Sequence, residues 1–124
     1  MARKAQVLVV DDDADVHDLV HVAFALDDRF EVVGDALDGR AAVALAASLR
    51  PDLVLLDLLM PVMDGLTALP LIRRASPESA VVALSSDESL SIAAVVHGAS
   101  GYVVKGAPLG QILNTLATAL AGTG

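Results

Sequence analysis

Hydrophobic residues follow two alternating patterns along the chain. Short unbroken apolar runs are typical of strands that are buried on both faces of a sheet. They predict five strands, at Val7–Val10, Phe30–Gly34, Leu53–Leu56, Ala80–Leu84 and Gly101–Val104. Between these runs, apolar residues recur every three or four positions, which predicts an amphipathic helix after each strand.

Several residues mark where the predicted helices begin and end. Asp13 is a suitable N-cap for the first helix, and Asp87 or Ser89 for the fourth. Pro51 follows the second helix and prevents its continuation, whereas Pro70 falls inside the third and costs about 3 kcal/mol if it lies beyond the first turn. The helices are expected from Asp13 to the break at Asp27, from Gly39 to Leu49, from about Leu66 to Ala75, from Ser89 to His97 and from Pro108 to Ala121.

Two histidines lie four positions apart on the first helix. His17 and His21 are off the apolar stripe that is expected to face the core. That stripe consists of Val16, Leu19, Val20, Ala23 and Phe24. The two histidines are therefore expected on an exposed face rather than in a metal site.

Regular alternation of strands and helices predicts the fold class. Parallel strands need crossover connections, and these are right-handed almost without exception. We expect an α/β domain over residues 1–124, a flavodoxin-like doubly wound (βα)5 arrangement with helices on both faces of a parallel five-stranded sheet. The strand order 2-1-3-4-5 is favoured because it makes the first and third strands neighbours.

Composition narrows the function classes. Among 124 residues, 16 are acidic and 8 basic, and the net charge of −8 argues against direct binding of nucleic acid or an anionic membrane. The absence of cysteine excludes disulfides and thiolate metal sites. The chain shows neither a signal peptide nor an apolar run of the ~20 residues that span a bilayer, so a cytoplasmic protein is expected.

Acidic residues follow two of the predicted strands. Asp11, Asp12 and Asp13 come directly after the first strand, and Asp57 after the third. The carboxyl ends of parallel strands lie at one edge of the sheet, where α/β proteins bind ligands. Carboxylates crowded there raise one another's pKa unless a cation compensates. The sequence therefore predicts a divalent-metal site in which one carboxylate is placed for chemistry.

Further residues at strand ends give the chain a recognisable pattern. The set is Asp11-Asp12, Asp57, Met60-Pro61, Asp64-Gly65, Ser85, Tyr102 and Lys105. With these residues in this order, the chain resembles a response-regulator receiver domain over essentially its whole length. The resemblance implies that Asp57 accepts a phosphoryl group from a histidine kinase or a phosphotransfer protein.

The resemblance also implies a cofactor and its ligands. Mg²⁺ (or Mn²⁺) would be bound directly by Asp12 and Asp57, through water by Asp11, and by the backbone carbonyl of Leu59. Mg²⁺ prefers oxygen ligands and keeps several waters, which suits such a set. Lys105 would supply positive charge to the phosphoryl oxygens as a mobile point charge.

Ser85 and Tyr102 are implied to form the switch. Ser85 would offer its hydroxyl to the phosphoryl group, and Tyr102 would turn inward in response. Phosphorylation would then shift the surface of helix four, strand five and helix five, which a partner, an output domain or a second copy reads.

Two positions are expected to tune how long the phosphoryl group persists. Leu59 lies two residues after Asp57, and Asp87 lies two after Ser85. An apolar Leu59 cannot orient a water, and the Asp87 carboxylate would repel anions. Slow self-dephosphorylation is therefore expected.

One segment points to a subgroup of receivers. The run from Gly98 to Ala107, GASGYVVKGA, resembles receivers of LuxR-type regulators, as do Val32-Val33-Gly34 and Asp38-Gly39. Those regulators carry a C-terminal helix-turn-helix, and no such output domain is expected within these 124 residues.

The sequence lacks features that two other function classes on this type of fold require. A haloacid-dehalogenase-type phosphohydrolase needs a second aspartate where Leu59 stands, and it usually needs a cap domain. A flavodoxin needs a phosphate-binding loop after the first strand, where the three aspartates would instead repel phosphate. A phosphorylation-independent interaction module on the same fold stays open as an alternative. Whether the domain is a phosphoacceptor switch or such an interaction module, we expect it not to be an enzyme. Its own phosphorylation and dephosphorylation would be its only catalytic activity.

Overall fold

The computed structural model describes residues 3–122 and contains the predicted alternation of strands and helices. The strands are β1 (Ala5–Val10), β2 (Phe30–Ala36), β3 (Leu53–Asp57), β4 (Ala80–Ser85) and β5 (Gly101–Val104). The helices are α1 (Ala14–Ala25), α2 (Gly39–Leu49), α3 (Gly65–Ala75), α4 (Ser91–Val96) and α5 (Leu109–Gly122). Most boundaries lie within two residues of the predicted ones.

All five strands pair in parallel, in the order β2-β1-β3-β4-β5. This order confirms the flavodoxin-like doubly wound arrangement. The register places Val10 opposite Leu56, and Asp57 opposite Leu84. The ends of β1, β3 and β4 therefore lie side by side, so the residues that follow them share one edge of the sheet.

Two aliphatic layers form the core, one on each face of the sheet. Helices α1 and α5 cover one face through Val20, Phe24, Ile112 and Leu116. Helices α2, α3 and α4 cover the other face, where the buried helix residues are Ala42, Ala46, Ala68, Leu69, Ile72 and Ala94. The small alanine side chains allow these helices to pack closely on a sheet made mainly of valine and leucine.

Aspartates cap the helices that begin near the acidic edge. Asp13, Asp38 and Asp64 each precede a helix and accept a hydrogen bond from a backbone N–H in its first turn. Such caps satisfy donors that have no partner inside the helix. Asp13 is thus confirmed as the predicted N-cap of α1.

The structure corrects the predicted orientation of α1. Leu19, predicted to face the core, is 51% exposed, whereas His17, predicted to face solvent, is only 7% exposed. The reason is a hydrogen bond of 2.6 Å between His17 Nδ1 and the Asp35 carboxylate on β2. His21 is exposed, as predicted. The polar contact with β2 turns the helix so that His17 lies at the edge of the core.

The fourth helix also differs from the prediction. A 3₁₀ turn at Glu88–Leu90, capped by Asp87, precedes a short α4 that ends at Val96. In α3, Pro70 lies beyond the first turn, so the helix lacks the backbone hydrogen bond that a non-proline residue would donate there. Among the described residues, no helix has both the length and the apolarity required to cross a bilayer.

Gly65 is held against the strand end that carries Asp57. A Cβ atom at this position would lie 2.6 Å from Leu58 Cα and would overlap the carbonyl oxygen of Asp57. Both neighbours are backbone atoms, so they cannot move aside as a flexible side chain could. The close approach allows α3 to start directly behind Asp57.

Gly65→Ala is expected to lower the free energy of unfolding by about 1–3 kcal/mol or more, because the added methyl forces the backbone of β3 to shift. Gly110→Ala is the matched control, since a Cβ at Gly110 meets nothing within 4 Å. That substitution is expected to be neutral or to stabilise by up to about 1 kcal/mol, because alanine favours a helix. Urea unfolding checks both variants, and equal stability of the two would contradict the packing argument.

Candidate functional site

Asp57 is the last residue of β3, and its side chain is fully buried at the acidic edge. Its Oδ1 atom accepts a hydrogen bond of 3.1 Å from the backbone N–H of Leu59. Its Oδ2 atom accepts one of 3.0 Å from Lys105 Nζ. Both contacts orient the carboxylate, because one partner belongs to rigid backbone and the other carries a full charge.

Asp11 and Asp12 follow β1 next to Asp57. Asp11 is fully buried, and its Oδ1 atom accepts a hydrogen bond of 2.9 Å from the backbone N–H of Asp13. Its Oδ2 atom lies 3.0 Å from Lys105 Nζ but makes no hydrogen bond within the described part of the chain. Asp12 is exposed. One buried carboxylate oxygen is thus left with unused capacity to accept a ligand.

The three acids form a group that fits a divalent cation. One carboxylate oxygen from each of Asp11, Asp12 and Asp57 lies within 4.8 Å of the others. Oxygen donors of this kind suit a hard cation such as Mg²⁺ rather than a metal that prefers sulfur or imidazole. The buried Asp11 Oδ2 supports the same conclusion, because within the described residues it forms an ion pair with Lys105 but accepts no hydrogen bond.

Burial, together with nearby charges and hydrogen bonds, perturbs the titration of the central carboxylate. Burial raises the pKa of Asp57, hydrogen bonds from Leu59 and Lys105 oppose this, and the nearby charge of Asp11 raises it further. The net effect is a raised pKa of Asp57. Burial alone would lower the pKa of Lys105, but its contacts with Asp11 and Asp57 outweigh burial, so the pKa of Lys105 is raised. Lys105 is therefore fully charged at neutral pH.

Ser85 and Tyr102, the predicted switch pair, both bind the backbone of Asp87. The buried hydroxyl of Ser85 accepts a hydrogen bond of 3.1 Å from the Asp87 N–H. The Tyr102 hydroxyl donates one of 2.6 Å to the Asp87 carbonyl. The loop after β4 therefore connects the two side chains through a single residue.

Leu59 and Asp87, the two predicted tuning residues, make different kinds of contact in this structure. Leu59 is half exposed, and its backbone N–H is the group that holds Asp57. The Asp87 carboxylate accepts hydrogen bonds of 2.9 and 2.6 Å from the N–H and hydroxyl of Ser89. These bonds lower the pKa of Asp87. Asp87 thus has a local structural role as the cap of the 3₁₀ turn.

Sequence reasoning missed a polar cluster beside the acids. His17 Nε2 lies 2.7 Å from the backbone carbonyl of Asp11, and Asp35 contacts both His17 and His21. Burial alone would lower the pKa of His17, but the bonds to the Asp11 carbonyl and to Asp35 outweigh it, and the pKa is raised. The spacing of the two histidines was a signal for a cluster, but the sequence did not show that Asp35 on β2 would meet them.

Comparison with known proteins agrees with this geometry. The sequence matches the response regulator receiver domain family over residues 7–117. It is 32% identical to the transcriptional regulatory protein YdfI of Bacillus subtilis over 94% of this chain and 55% of YdfI. It is 36% identical to the nitrate/nitrite response regulator NarL of Escherichia coli over 95% of this chain and 56% of NarL.

Solved structures show the same relationship. The signal receiver domain of the response regulator NarL from Mycobacterium tuberculosis superposes with a TM-score of 0.90 at 30% identity, covering 98% of this chain and 99% of that one. The response regulator domain of Thermotoga maritima CheB superposes with a TM-score of 0.88 at 30% identity, covering 96% and 98%.

An α/β domain with converging acids and a lysine at one sheet edge is the framework of a phosphoacceptor switch. This chain belongs to the response regulator receiver domain family of two-component systems. The matches to NarL and to the structure of a LuxR-family response regulator from Aurantimonas confirm the predicted similarity to that subgroup. The chain spans about half the length of YdfI and NarL.

Replacing the central carboxylate is expected to stabilise the metal-free protein. The raised pKa of Asp57 means that its contribution to stability is present below the unfolded pKa of about 3.9 and is lost as pH rises through the folded pKa. At neutral pH the ionised Asp57 therefore costs stability. Asp57→Asn should raise the free energy of unfolding by about 1–2 kcal/mol at neutral pH in EDTA.

Urea unfolding at several pH values checks this expectation. The advantage of Asp57→Asn should shrink as the solution is acidified, because wild-type Asp57 then becomes neutral. Asp28→Asn is the control for net charge, since Asp28 lies exposed between α1 and β2. An equal gain in both variants would show that reduced net charge, rather than crowding at the site, is responsible.

Proposed function

We propose that Asp57 is the phosphoacceptor of this receiver domain. The observation that carries the proposal is the buried Asp57 carboxylate, bound by Lys105 at 3.0 Å and adjacent to two further acids. An Asp57 oxygen would form a bond to phosphorus while the bond from phosphorus to the donor nitrogen of a phosphohistidine breaks. The imidazole of the donor leaves with the electron pair, so no further reactant is needed.

The surrounding residues supply positioning and charge. Asp12 and Asp57 would bind Mg²⁺ (or Mn²⁺) directly, and Asp11 through water, together with the Leu59 carbonyl. Bound metal neutralises negative charge on the phosphoryl group. Lys105 would form an ion pair with the phosphoryl oxygens, because its flexible side chain can move from the Asp57 carboxylate to the phosphoryl group.

The switch would operate through the loop after β4. A phosphoryl group on Asp57 offers a charged acceptor for the Ser85 hydroxyl proton, and movement of the hydroxyl toward it would alter the hydrogen bond that Ser85 Oγ accepts from the Asp87 N–H. Movement of the Asp87 peptide would then affect Tyr102, whose hydroxyl binds its carbonyl. Phosphorylation thereby biases the positions of the 3₁₀ turn and of α4.

Partners are expected at two places. Receiver domains interact with histidine kinases or phosphotransfer proteins, and one of these would donate the phosphoryl group to Asp57. The output would be read from α4, β5 and α5, where Ile92, Val95 and Val96 are exposed apolar residues. A second copy of the chain or a linked output domain would bind this surface when Asp57 is phosphorylated. Catalysis by the domain itself would be limited to its own phosphorylation and dephosphorylation.

Labelling with a small-molecule phosphodonor tests the assignment. Wild-type protein should take up one phosphoryl group in a Mg²⁺-dependent reaction, and Asp57→Asn should take up none. Lys105→Met should slow labelling by at least about tenfold, because a cation that stabilises the transition state is lost. Lys4→Met is the matched control, since Lys4 is exposed and precedes β1 at the opposite edge of the sheet. Equal labelling of wild type and Asp57→Asn would refute the assignment.

Loss of the phosphoryl group is expected to be slow. Leu59 cannot orient an attacking water by hydrogen bonding, so the half-life of phosphorylated wild-type protein should be minutes or longer. Leu59→Asn should shorten it, because an amide can position water near Asp57. Release of inorganic phosphate after removal of the donor measures both. A wild-type half-life of seconds, or a longer one for Leu59→Asn, would contradict this expectation.

A further inference from the structure

A chain of hydrogen bonds reaches the acidic site from outside it. Asp35 on β2 accepts a bond of 2.6 Å from His17 Nδ1, and its carboxylate also contacts His21 Nε2 at 2.9 and 3.0 Å. The other ring nitrogen of His17, Nε2, lies 2.7 Å from the backbone carbonyl of Asp11. His17 thus connects β2 to the first residue of the acidic pair, and it does so from a buried position.

Both partners of His17 can only accept hydrogen bonds. A carbonyl oxygen has no proton to give, and neither has an ionised carboxylate. Both ring nitrogens of His17 therefore donate, and the ring is held at both ends. A side chain that packs as well but cannot donate twice would leave a buried carbonyl without its partner, which is unfavourable.

The contact of His17 with the Asp11 carbonyl sets the orientation of the backbone between Asp11 and Asp12. The peptide bond between Asp11 and Asp12 is planar, so the position of the Asp11 carbonyl sets the direction in which the chain continues into Asp12. The Asp11 N–H donates to the Ala36 carbonyl at 3.0 Å, and its Oδ1 accepts from the Asp13 N–H at 2.9 Å. With its other polar groups held, Asp11 presents its Oδ2 atom to Lys105 and the site.

We propose that His17, held by Asp35, is a positioning residue that orients the Asp11–Asp12 peptide for metal binding and phosphorylation at Asp57. The inference rests on the proposed function of the site. His21 supports the same arrangement by occupying the outer side of the Asp35 carboxylate. His17 touches neither the metal nor the phosphoryl group, so its effect is exerted through backbone geometry.

Four variants of the full chain separate positioning from packing. His17→Phe keeps a ring of similar size but donates no hydrogen bond, whereas the guanidinium of His17→Arg can donate at both ends. Asp35→Ala removes the outer anchor of His17 at a partly exposed position. The fourth variant combines His17→Phe with Asp35→Ala. Calorimetric Mg²⁺ affinity and the rate of labelling by a small phosphodonor are measured for each, with urea unfolding as the check of folding.

His17→Phe and Asp35→Ala are expected to weaken Mg²⁺ binding on the order of tenfold and to slow labelling to a similar extent, because residues that orient metal ligands have effects of this size. The Mg²⁺ affinity and the labelling rate of His17→Arg should be close to those of the wild type. In the double variant, Mg²⁺ affinity and the labelling rate should fall no further than in His17→Phe alone, since Asp35 acts only through His17.

Three outcomes would overturn the inference. They are wild-type Mg²⁺ affinity in both His17→Phe and Asp35→Ala, equal losses in His17→Phe and His17→Arg, and additive losses in the double variant. If His17→Phe does not fold, Asp35→Ala and His17→Arg still decide the question. Failure of the proposed function itself is seen separately, as absence of labelling in wild type or persistence of labelling in Asp57→Asn.

Discussion

The arrangement of the acidic edge depends on the contact of one ammonium group with two buried carboxylates. Lys105 Nζ lies 3.0 Å from an oxygen of Asp11 and 3.0 Å from an oxygen of Asp57. Two ionised carboxylates cannot be buried next to each other without compensation, because each opposes the ionisation of the other. Lys105 follows β5, Asp11 follows β1 and Asp57 ends β3, so this contact joins strand ends across the sheet. It also compensates the negative charge of the two buried carboxylates.

The features that suit the site to its function also limit the stability of the fold. Burial and the nearby charge of Asp11 raise the pKa of Asp57, so the ionised form of this carboxylate costs stability in the folded protein. Gly65 leaves no room for a side chain because α3 must begin directly behind Asp57. The loop after β4 is held by only two hydrogen bonds from these side chains, between the Asp87 backbone and the hydroxyls of Ser85 and Tyr102. A switch requires interactions of this balanced kind, since its two states must differ little in free energy.

Most of the fold could be predicted because its signals are local. Apolar runs marked the strands, Asp13 marked the start of α1, and the acids at the ends of β1 and β3 implied that these strands are neighbours. Two errors came from interactions that local patterns do not contain. Leu19 and His17 exchanged their expected environments because His17 binds Asp35, which lies on a different element. The fourth helix began with a 3₁₀ turn because Asp87 caps Ser89 and Tyr102 binds the Asp87 carbonyl.

The sequence alone was sufficient to predict the class of fold, the family and the residues that converge at the carboxyl edge of the sheet. It was sufficient because hydrophobic periodicity and strand-end acids can be read directly from the order of residues along the chain. The way in which those residues are held became visible only in the folded arrangement. It showed Lys105 between Asp11 and Asp57, the buried Asp11 Oδ2 that accepts no hydrogen bond from the described residues, and the connection from Asp35 through His17 to the Asp11 carbonyl. These depend on distances between elements remote in sequence, and the strength of hydrogen bonds and buried charges varies steeply with such distances.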